Sequence, residues 1–325
     1  MTQCRVGRAI VLLFGWYVIT TEIAAQTNRF TLVGAIPIAA ELIRAQSDRA
    51  YLAAAGTLTV VDISRPDMAR SIGAYTFPDR IWGFRVHDGL AYVSADRSGL
   101  GVLDVAGNGT PTIRGSLKTP GQAKSVFVSG DIALVTDTLT GVDFVRVDDP
   151  ARPSLTGSGF LDGFSTDVVA SGTFAYAADR PTGFYVFDLS KKDSFEPVGT
   201  SQSGSPNNTQ RAQLEVLPES SGRRVVLLAA GGLLQLFDVT NPIDPMLLPP
   251  FRTPGAAVRI ALKEHFVYVA DGQAGLQVVD FSIPTAPKIV DSFKTMSPAR
   301  DVAVAGSLVL VALAGGEVVI LEEGV

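Results

Sequence analysis

Residues 267–287 read VYVADGQAGLQVVDFSIPTAP, and this stretch decides the fold. It contains a β-branched run, a turn with two glycines, a second apolar run that ends at Asp280, and a turn with two prolines. Short runs rich in Val, Tyr and Phe that are bounded by Gly and Pro predict strands. The stretch therefore predicts two antiparallel strands that lead into a proline turn.

The second of these strands recurs along the chain. LTVVDIS, LGVLDVA, VDFVRVD, FYVFDLS, LQLFDVT and GEVVILE are versions of LQVVDFS, and five of the seven copies carry aspartate at the same point. The seven positions are Asp62, Asp104, Arg146, Asp188, Asp238, Asp280 and Ile320. Regular spacing of about 42 residues indicates one structural unit repeated seven times.

Each unit contains four strand patterns in a fixed order. A first strand such as SVFVS from Ser125 is followed by a second such as AYVSA from Ala91, and then by the repeated strand. A fourth strand, such as SIGAYTF from Ser71, follows the proline turn. Four short strands in 40 to 45 residues are typical of a propeller blade. We therefore predict an all-β, seven-bladed propeller of four-stranded blades.

The two ends of the chain complement each other. The seventh unit ends at Val325 directly after its third strand, whereas FTLVGAI from Phe30 precedes the first unit and reads as a spare outer strand. Pairing the two would close the ring and remove an exposed sheet edge. The N-terminal strand is therefore predicted to join the C-terminal blade.

The first 25 residues predict a signal peptide. Arg5 and Arg8 precede an apolar run at 9–19, and small residues follow at Ala24 and Ala25. The run is shorter than the roughly 20 residues that a membrane-spanning helix needs. We expect residues 1–25 to be removed and residues 26–325 to form a single domain. The mature chain would be exported to the periplasm, medium or cell surface without a transmembrane span.

Composition excludes several classes of function. The chain of 325 residues has a net charge of −5, so it lacks the basic surface that nucleic-acid binding needs. It has one cysteine and two histidines, which is too few for a Cys or His metal centre. His87 and His265 follow first strands, away from the expected channel mouth, and no catalytic motif occurs. We predict no catalytic residues.

The repeat resembles the LVIVD-repeat family of bacterial and archaeal exported or cell-surface proteins. The fullest match is residues 267–287, and the resemblance extends over nearly all of the chain after Phe30. It departs at Arg146, at Ile320 and in the fifth unit, which is eight residues longer. The resemblance implies a propeller and an exported location, and it assigns no reaction.

Two sets of aspartates repeat from unit to unit. The set that ends the third strands is expected to accept backbone N–H groups in the following turn. A ring of metal-binding carboxylates is the alternative, although one aspartate per blade would spread around the ring. A second set opens the turns between second and third strands, where capping is also expected: Asp96, Asp137, Asp179 and Asp271.

Residues found in only one or two units carry more specific information. Those at the start of a first strand or just before it should surround the channel mouth. Arginine and tryptophan there could hold an anionic or polar ligand, or the loop of a partner, or else the charges could pair between blades. The candidate binding residues are Arg80, Trp82, Lys124, Phe164, Asp167, Arg259, Arg300 and Asp301.

The fifth unit has two insertions that are further candidates for binding. QSGSPNNTQ from Gln202 lengthens a link between blades, and PESSGRR from Pro218 lengthens a turn at the opposite end. Asn108 and Asn207 also fit the glycosylation pattern. Polar insertions of this kind are also tolerated without any function.

These observations favour a monomeric, non-catalytic binding or scaffold module for a protein or cell-surface polymer, with no cofactor. The alternative is a small-molecule-binding protein, or a hydrolase or lactonase-like enzyme, with Ca²⁺ held at the channel mouth. That alternative requires Asp79, Asp167, Asp301 or loop asparagines to converge on one ion.

Overall fold

The computed structural model describes residues 13–14, 17–18, 29–180, 183–191, 194–202, 212–220, 222–230 and 232–324. Apart from two short strands, the predicted signal peptide lies outside the described residues. Most of the insertion that begins at Gln202, including Asn207, lies outside them as well.

The strands arrange into seven four-stranded antiparallel sheets. In chain order, β1 (Leu13–Phe14) and β2 (Tyr17–Val18) form a separate pair, and β3 (Phe30–Ile36) precedes the first blade. Blade 1 contains β4 (Leu42–Gln46), β5 (Arg49–Ala54), β6 (Thr57–Asp62) and β7 (Arg70–Thr76), with a 3-10 helix at Pro66–Met68. Blade 2 contains β8 (Gly83–His87), β9 (Leu90–Ser94), β10 (Leu100–Asp104) and β11 (Thr112–Leu117). Blade 3 contains β12 (Ala123–Ser129), β13 (Ile132–Asp137), β14 (Gly141–Arg146) and β15 (Ser154–Gly159).

The remaining blades follow the same order. Blade 4 contains β16 (Phe164–Ser171), β17 (Phe174–Arg180), β18 (Gly183–Asp188) and β19 (Gly199–Gln202). Blade 5 contains β20 (Gln213–Val216), β21 (Val225–Ala230), β22 (Leu233–Asp238) and β23 (Met246–Arg252). Blade 6 contains β24 (Arg259–Lys263), β25 (Phe266–Ala270), β26 (Leu276–Asp280) and β27 (Lys288–Phe293). Blade 7 contains β28 (Ala299–Ala305), β29 (Leu308–Leu313), β30 (Val318–Glu323) and β3.

Both the predicted fold and the predicted closure are confirmed. β3 pairs antiparallel with β30, from Phe30 opposite Glu323 to Ile36 opposite Val318. The outer strand of the last blade therefore comes from the start of the chain. The ring is a seven-bladed β-propeller.

The hydrophobic core is divided into seven clusters, one between each pair of neighbouring blades. Every middle strand is therefore covered on both faces, and β21 (VVLLAA) is buried at all six positions. This explains why these strands read as continuous apolar runs rather than alternating ones. The stability of the ring depends on each blade having two neighbours.

The first strands of successive blades contact one another and surround the central channel, while the fourth strands lie outermost. We call the end where the first strands begin the mouth face. It carries the links between blades and the turns between second and third strands. The opposite end, which carries the remaining turns, is called the far face.

The repeated aspartates end the third strands on the far face, and all five accept the backbone N–H two residues on. The pairs, at 2.7–3.1 Å, are Asp62 with Ser64, Asp104 with Ala106, Asp188 with Ser190, Asp238 with Thr240, and Asp280 with Ser282. In blade 3, where Arg146 replaces aspartate, Asp149 accepts the N–H of Ala151 at 3.0 Å. The expected turn hydrogen bonds are confirmed.

Glycine recurs in the fourth strand of five blades because the proline turn of the next blade packs directly against it. A Cβ added to four of these glycines would overlap the main chain of that turn, and at Gly157 it would overlap the ring of Phe195. The five glycines are Gly34, Gly73, Gly115, Gly157 and Gly199. In blade 6 the corresponding residue is Asp291, whose Oδ2 accepts the N–H of Arg29 at 3.3 Å. Among the described residues, the segment before β3 rather than a proline turn lies against Asp291, because the fourth strand of blade 7 is β3.

Candidate functional site

Four side chains near the start of the first strands, those of Asp167, Gln213, Arg259 and Asp301, hydrogen-bond to a neighbouring blade. Asp301 of blade 7 accepts the N–H of Ile43 in blade 1 at 2.8 Å. Asp167 of blade 4 accepts the N–H of Leu214 in blade 5 at 2.7 Å, and its other oxygen accepts the Ser125 hydroxyl of blade 3. The carboxylates of Asp167 and Asp301 are at least 97% buried, so they contact protein groups of the ring rather than solvent.

The same kind of contact joins blades 5 and 6. Gln213 accepts the N–H of Ile260 at 3.0 Å and donates to its carbonyl at 2.8 Å. In the reverse direction, Arg259 donates to the carbonyl of Ala212 at 3.4 Å. Three of the eight predicted binding residues, in blades 4, 6 and 7, therefore hold neighbouring blades together.

Arg44 lies in the first strand of blade 1, two residues beyond the position that Asp167 and Asp301 occupy in their own first strands. Its side chain fills part of the channel. Its guanidinium lies 3.5 Å from Asp301 and 5.7 Å from the centre of the Phe84 ring. Burial lowers the pKa of Arg44 to about 10, and the neighbouring Arg85 contributes in the same direction. The side chain stays charged at neutral pH and is held by an acidic and an aromatic partner.

Blades 2 and 5 are joined across the channel. Arg85 lies 3.5 Å from Glu215 and 5.6 Å from the centre of the Phe127 ring. The cavity at the mouth end of the channel is about 20 Å³, room for about one water molecule. In the described ring, the mouth end of the channel is therefore filled by side chains.

Arg44, Arg85 and Glu215 are not among the residues predicted from the sequence. They occupy the same register position in their first strands, two after the residues that tie blades together. A comparison of that position across the seven units would have shown two arginines and one glutamate among apolar residues. Predicting that Arg85 pairs with Glu215 would also have required knowing which blades lie opposite each other in the ring.

Three predicted residues do come together at the mouth. Trp82 is flanked by Arg80, 5.0 Å from its ring centre, and by Lys124 at 4.2 Å. Its Nε1 donates to Asp96 at 3.1 Å, and Lys124 lies 3.9 Å from the same carboxylate. Arg80 also pairs with Glu41. Arg80 and Lys124 therefore each have an acidic partner.

The last two predicted residues are exposed. Phe164 begins β16 with 59% of its surface accessible, and Arg300 lies exposed near the start of β28. Two other large apolar side chains are exposed in mouth-face loops of blade 3: Leu139, 68% exposed, and Phe160, 65% exposed. These two loops are adjacent, because Gly141 packs against Gly159 and Leu161. We call these three residues the apolar corner of the mouth face. Of these three residues, only Phe164 was predicted from the sequence. Leu139 and Phe160 were missed because the sequence of a loop does not show which of its side chains are exposed.

The second set of aspartates fastens the loops that lead into their own blades. Asp137 accepts the N–H groups of Gly121 and Leu139, and Asp271 accepts the N–H of Gly255 at 2.8 Å. Asp179 accepts the N–H of Arg180 at 2.8 Å. Burial raises the pKa of Asp179 to about 6.

The carboxylates named for a Ca²⁺ site have separate partners. Asp79 accepts the hydroxyl of Ser98 at 2.7 Å, while Asp167 and Asp301 bind different blades. Within the described ranges, no group of three His, Cys, Asp or Glu residues is placed to hold a metal ion. His87 and His265 lie on the far face beside Asp88 and Asp280, at 3.4 and 3.9 Å.

The seven four-stranded blades around one channel make this protein a seven-bladed β-propeller. The model of the LVIVD repeat matches residues 40–75, 120–159, 162–199 and 254–295. The chain therefore carries LVIVD repeats at four regions, which confirms the resemblance seen in the sequence. Comparison with curated proteins found no match.

Solved structures with the same fold come from unrelated sequences. The β-propeller domain of Myceliophteria thermophila Cps50 (Swd1) is 12% identical with a TM-score of 0.70, and the match covers 90% of this chain and 99% of that one. A chain of the Mitotic Checkpoint Complex is 9% identical with a TM-score of 0.72, covering 96% and 100%. The computationally designed Ika8 protein is 11% identical with a TM-score of 0.61, covering 90% and 98%. At these identities the similarity concerns the fold alone. Within the part of the chain that the structure describes, no helix is long and apolar enough to cross a membrane.

Proposed function

We propose that this propeller is an exported, monomeric, non-catalytic binding module that recognises a protein or cell-surface partner through its mouth face. The observation that carries the proposal is the apolar corner. Leu139, Phe160 and Phe164 each expose more than half of their surface in adjacent loops of blades 3 and 4. Clustered exposed apolar side chains mark interaction surfaces, and aromatic residues are enriched at protein interfaces.

Because the mouth end of the channel is filled, a partner on this face would contact the loops rather than the inside of the ring. Asp167, Arg259 and Asp301 bind the main chain of neighbouring blades, and a substrate would have to break those contacts to reach them. The exposed candidates are Phe164 and Arg300, with Arg80 and Trp82 partly exposed. These residues supply apolar area and positive charge around the mouth.

The wider fold class gives weaker support. One of the similar chains belongs to an assembly, the Mitotic Checkpoint Complex, so a ring of this shape is compatible with a role in a complex. Export rests on the order of charged, apolar and small residues before position 26.

The first test is affinity purification of the tagged protein from its native envelope and medium, followed by mass spectrometry. We expect a stoichiometric partner that is lost with the double variant Phe160→Ser, Phe164→Ser. The matched control is Ile243→Ser, Ile283→Ser, which removes two equally exposed apolar side chains from the far face.

If the partner is lost only with the control variant, the interface lies on the far face, and the proposed surface is wrong. Calcium-dependent hydrolysis by the purified protein, with no stoichiometric partner, would overturn the binding function. Both variants change exposed residues, so circular dichroism and thermal unfolding should match those of the unmodified protein.

A further inference from the structure

A cavity lies at the far-face end of the channel, between blades 4 and 5. This cavity has a volume of about 400 Å³, within the range of about 300 to 1,000 Å³ that small-molecule sites occupy. Six of its ten lining residues are apolar. The apolar lining consists of Phe127, Val169, Ala170, Val216, Leu217 and Pro218.

The cavity exists because blade 5 differs from the other blades. Its first strand, β20, ends at Val216, and the lengthened turn follows. Ser220 in that turn donates its hydroxyl to the carbonyl of Ser282 in blade 6 at 2.9 Å. The turn is therefore fastened to blade 6, and it leaves the end of β16 in blade 4 uncovered.

Acidic groups stand at the floor and at the rim. Glu215, at the floor, uses Oε1 to accept from Gln213 at 3.1 Å and to face Arg85 at 3.5 Å. Among the described residues both contacts use this one oxygen, so Oε2 can accept hydrogen bonds from a ligand. Glu219 lies exposed in the turn above. Together they favour a ligand with a cationic donor.

A basic group stands on another part of the same wall. Arg224 lines the cavity beside the hydroxyl of Tyr176. Tyr176 is fully buried and stacks on Phe184, with ring centres 6.0 Å apart. The hydroxyl of Ser171 lies in the lining as well. These donors favour an anionic acceptor, because an arginine fork binds carboxylates well.

We propose that the far-face cavity binds a small zwitterion with an apolar side chain, of the α-amino acid or short-peptide class. The ammonium group lies toward Glu215 and Glu219, the carboxylate toward Arg224, and the side chain against the apolar wall. A ligand with a single charge would displace water from both ends of the cavity and leave one charged group without a partner.

The proposal does not depend on the binding function of the mouth face. The two surfaces lie at opposite ends of the channel and share none of the residues named for them. Loss of the protein partner would therefore leave ligand binding unchanged.

The test is isothermal titration calorimetry of the full chain with four probes. We expect saturable binding of L-phenylalanine or of the dipeptide L-alanyl-L-phenylalanine, and the preferred probe distinguishes a free amino acid from a peptide. Phenethylamine lacks the carboxylate and 3-phenylpropanoate lacks the ammonium, so each should bind about tenfold more weakly or not at all.

Variants locate the site. Arg224→Gln should weaken the preferred probe about tenfold, whereas Arg223→Gln, which removes the same charge outside the cavity, should not. Ser171→Leu fills the cavity without changing a charge and should abolish binding. It tests the site without Glu215→Gln, a change that would also affect the contact with Arg85 in the channel. Equal binding of phenethylamine, unchanged binding by Arg224→Gln and Ser171→Leu, or no binding of either zwitterion would overturn the proposal.

Discussion

Arg85 of blade 2 and Glu215 of blade 5 meet across the central channel at 3.5 Å, although their blades are not neighbours in the ring. Contacts between adjacent blades are expected in any propeller. A contact across the channel links opposite parts of the ring directly, and here each partner keeps only about a fifth of its side chain exposed. The channel is thus part of the packed interior.

Removing one member of this pair should destabilise the protein. We expect Arg85→Met to cost about 2 kcal/mol in the free energy of unfolding, because Glu215 would remain partly buried without its cation. Urea unfolding measures this cost, and a double-mutant cycle with Glu215→Gln isolates the coupling. Arg114→Met removes an exposed pair with Asp104 and should cost less than about 0.5 kcal/mol. Equal costs for the two arginines would show that the contact across the channel adds nothing.

Glu323 should make ring closure sensitive to acid. It accepts from Lys263 at 2.9 Å and from Tyr268 at 2.8 Å, which joins the last strand to blade 6. Burial alone would raise the pKa of its carboxyl, but hydrogen bonds from Lys263 and Tyr268 bring it below the usual value of 4.5. The stabilisation is therefore present above pH 4.5 and is lost as the pH falls through the lower, folded-state pKa.

The variant Glu323→Gln should be about 1 to 2 kcal/mol less stable than the parent at neutral pH. Denaturant unfolding over a pH series would show the difference shrinking in acid. A difference that is constant across the series would contradict the assignment to this carboxylate.

Asp179 should give the opposite pH dependence. Burial raises its pKa from 3.8 to about 6, so the folded protein binds the proton more tightly than the unfolded chain does. Its contribution is most favourable below pH 3.8 and declines as the pH rises to about 6. The stability of Asp179→Asn relative to the parent should therefore rise by about 2 kcal/mol between pH 3.8 and about 6. Paired unfolding curves measure the gain, and Glu322→Gln, an exposed acid, should show none.

The fourth-strand glycines should be intolerant of a side chain. Gly115→Ala places a Cβ against the carbonyl of Pro150 in the next blade, and we expect a loss of about 2 kcal/mol or more. Gly109→Ala is the matched control, since a Cβ at that position meets nothing within 4 Å. Thermal unfolding of both variants decides the point. Similar melting temperatures would mean that the proline turn moves aside without cost.

The repeat made the fold predictable because blades bury the same strands in the same way. The spacing of the aspartates, the proline turns and the spare strand at Phe30 are local signals, and each appears where it was expected. Local signals also sufficed for the turn hydrogen bonds of Asp62 and Asp280, which reach only two residues along the chain.

The candidate site was less predictable because its contacts join distant parts of the chain. Sequence placed Asp167 and Arg259 near the mouth, but their partners lie on neighbouring blades, 47 residues away in both cases. The pair formed by Arg85 and Glu215 depends on which blades stand opposite each other. Packing around the ring, rather than the pattern within one unit, determines these contacts.

Pairing of β3 with β30 also determines when the ring can be completed during synthesis. The strand from Phe30 to Ile36 is among the first parts of the propeller to be made, yet its partner from Val318 to Glu323 is among the last. Until the ribosome releases the C-terminal strand, β3 has an unsatisfied edge that could pair with another chain. Nascent chains of this protein should therefore need protection until β30 has been made.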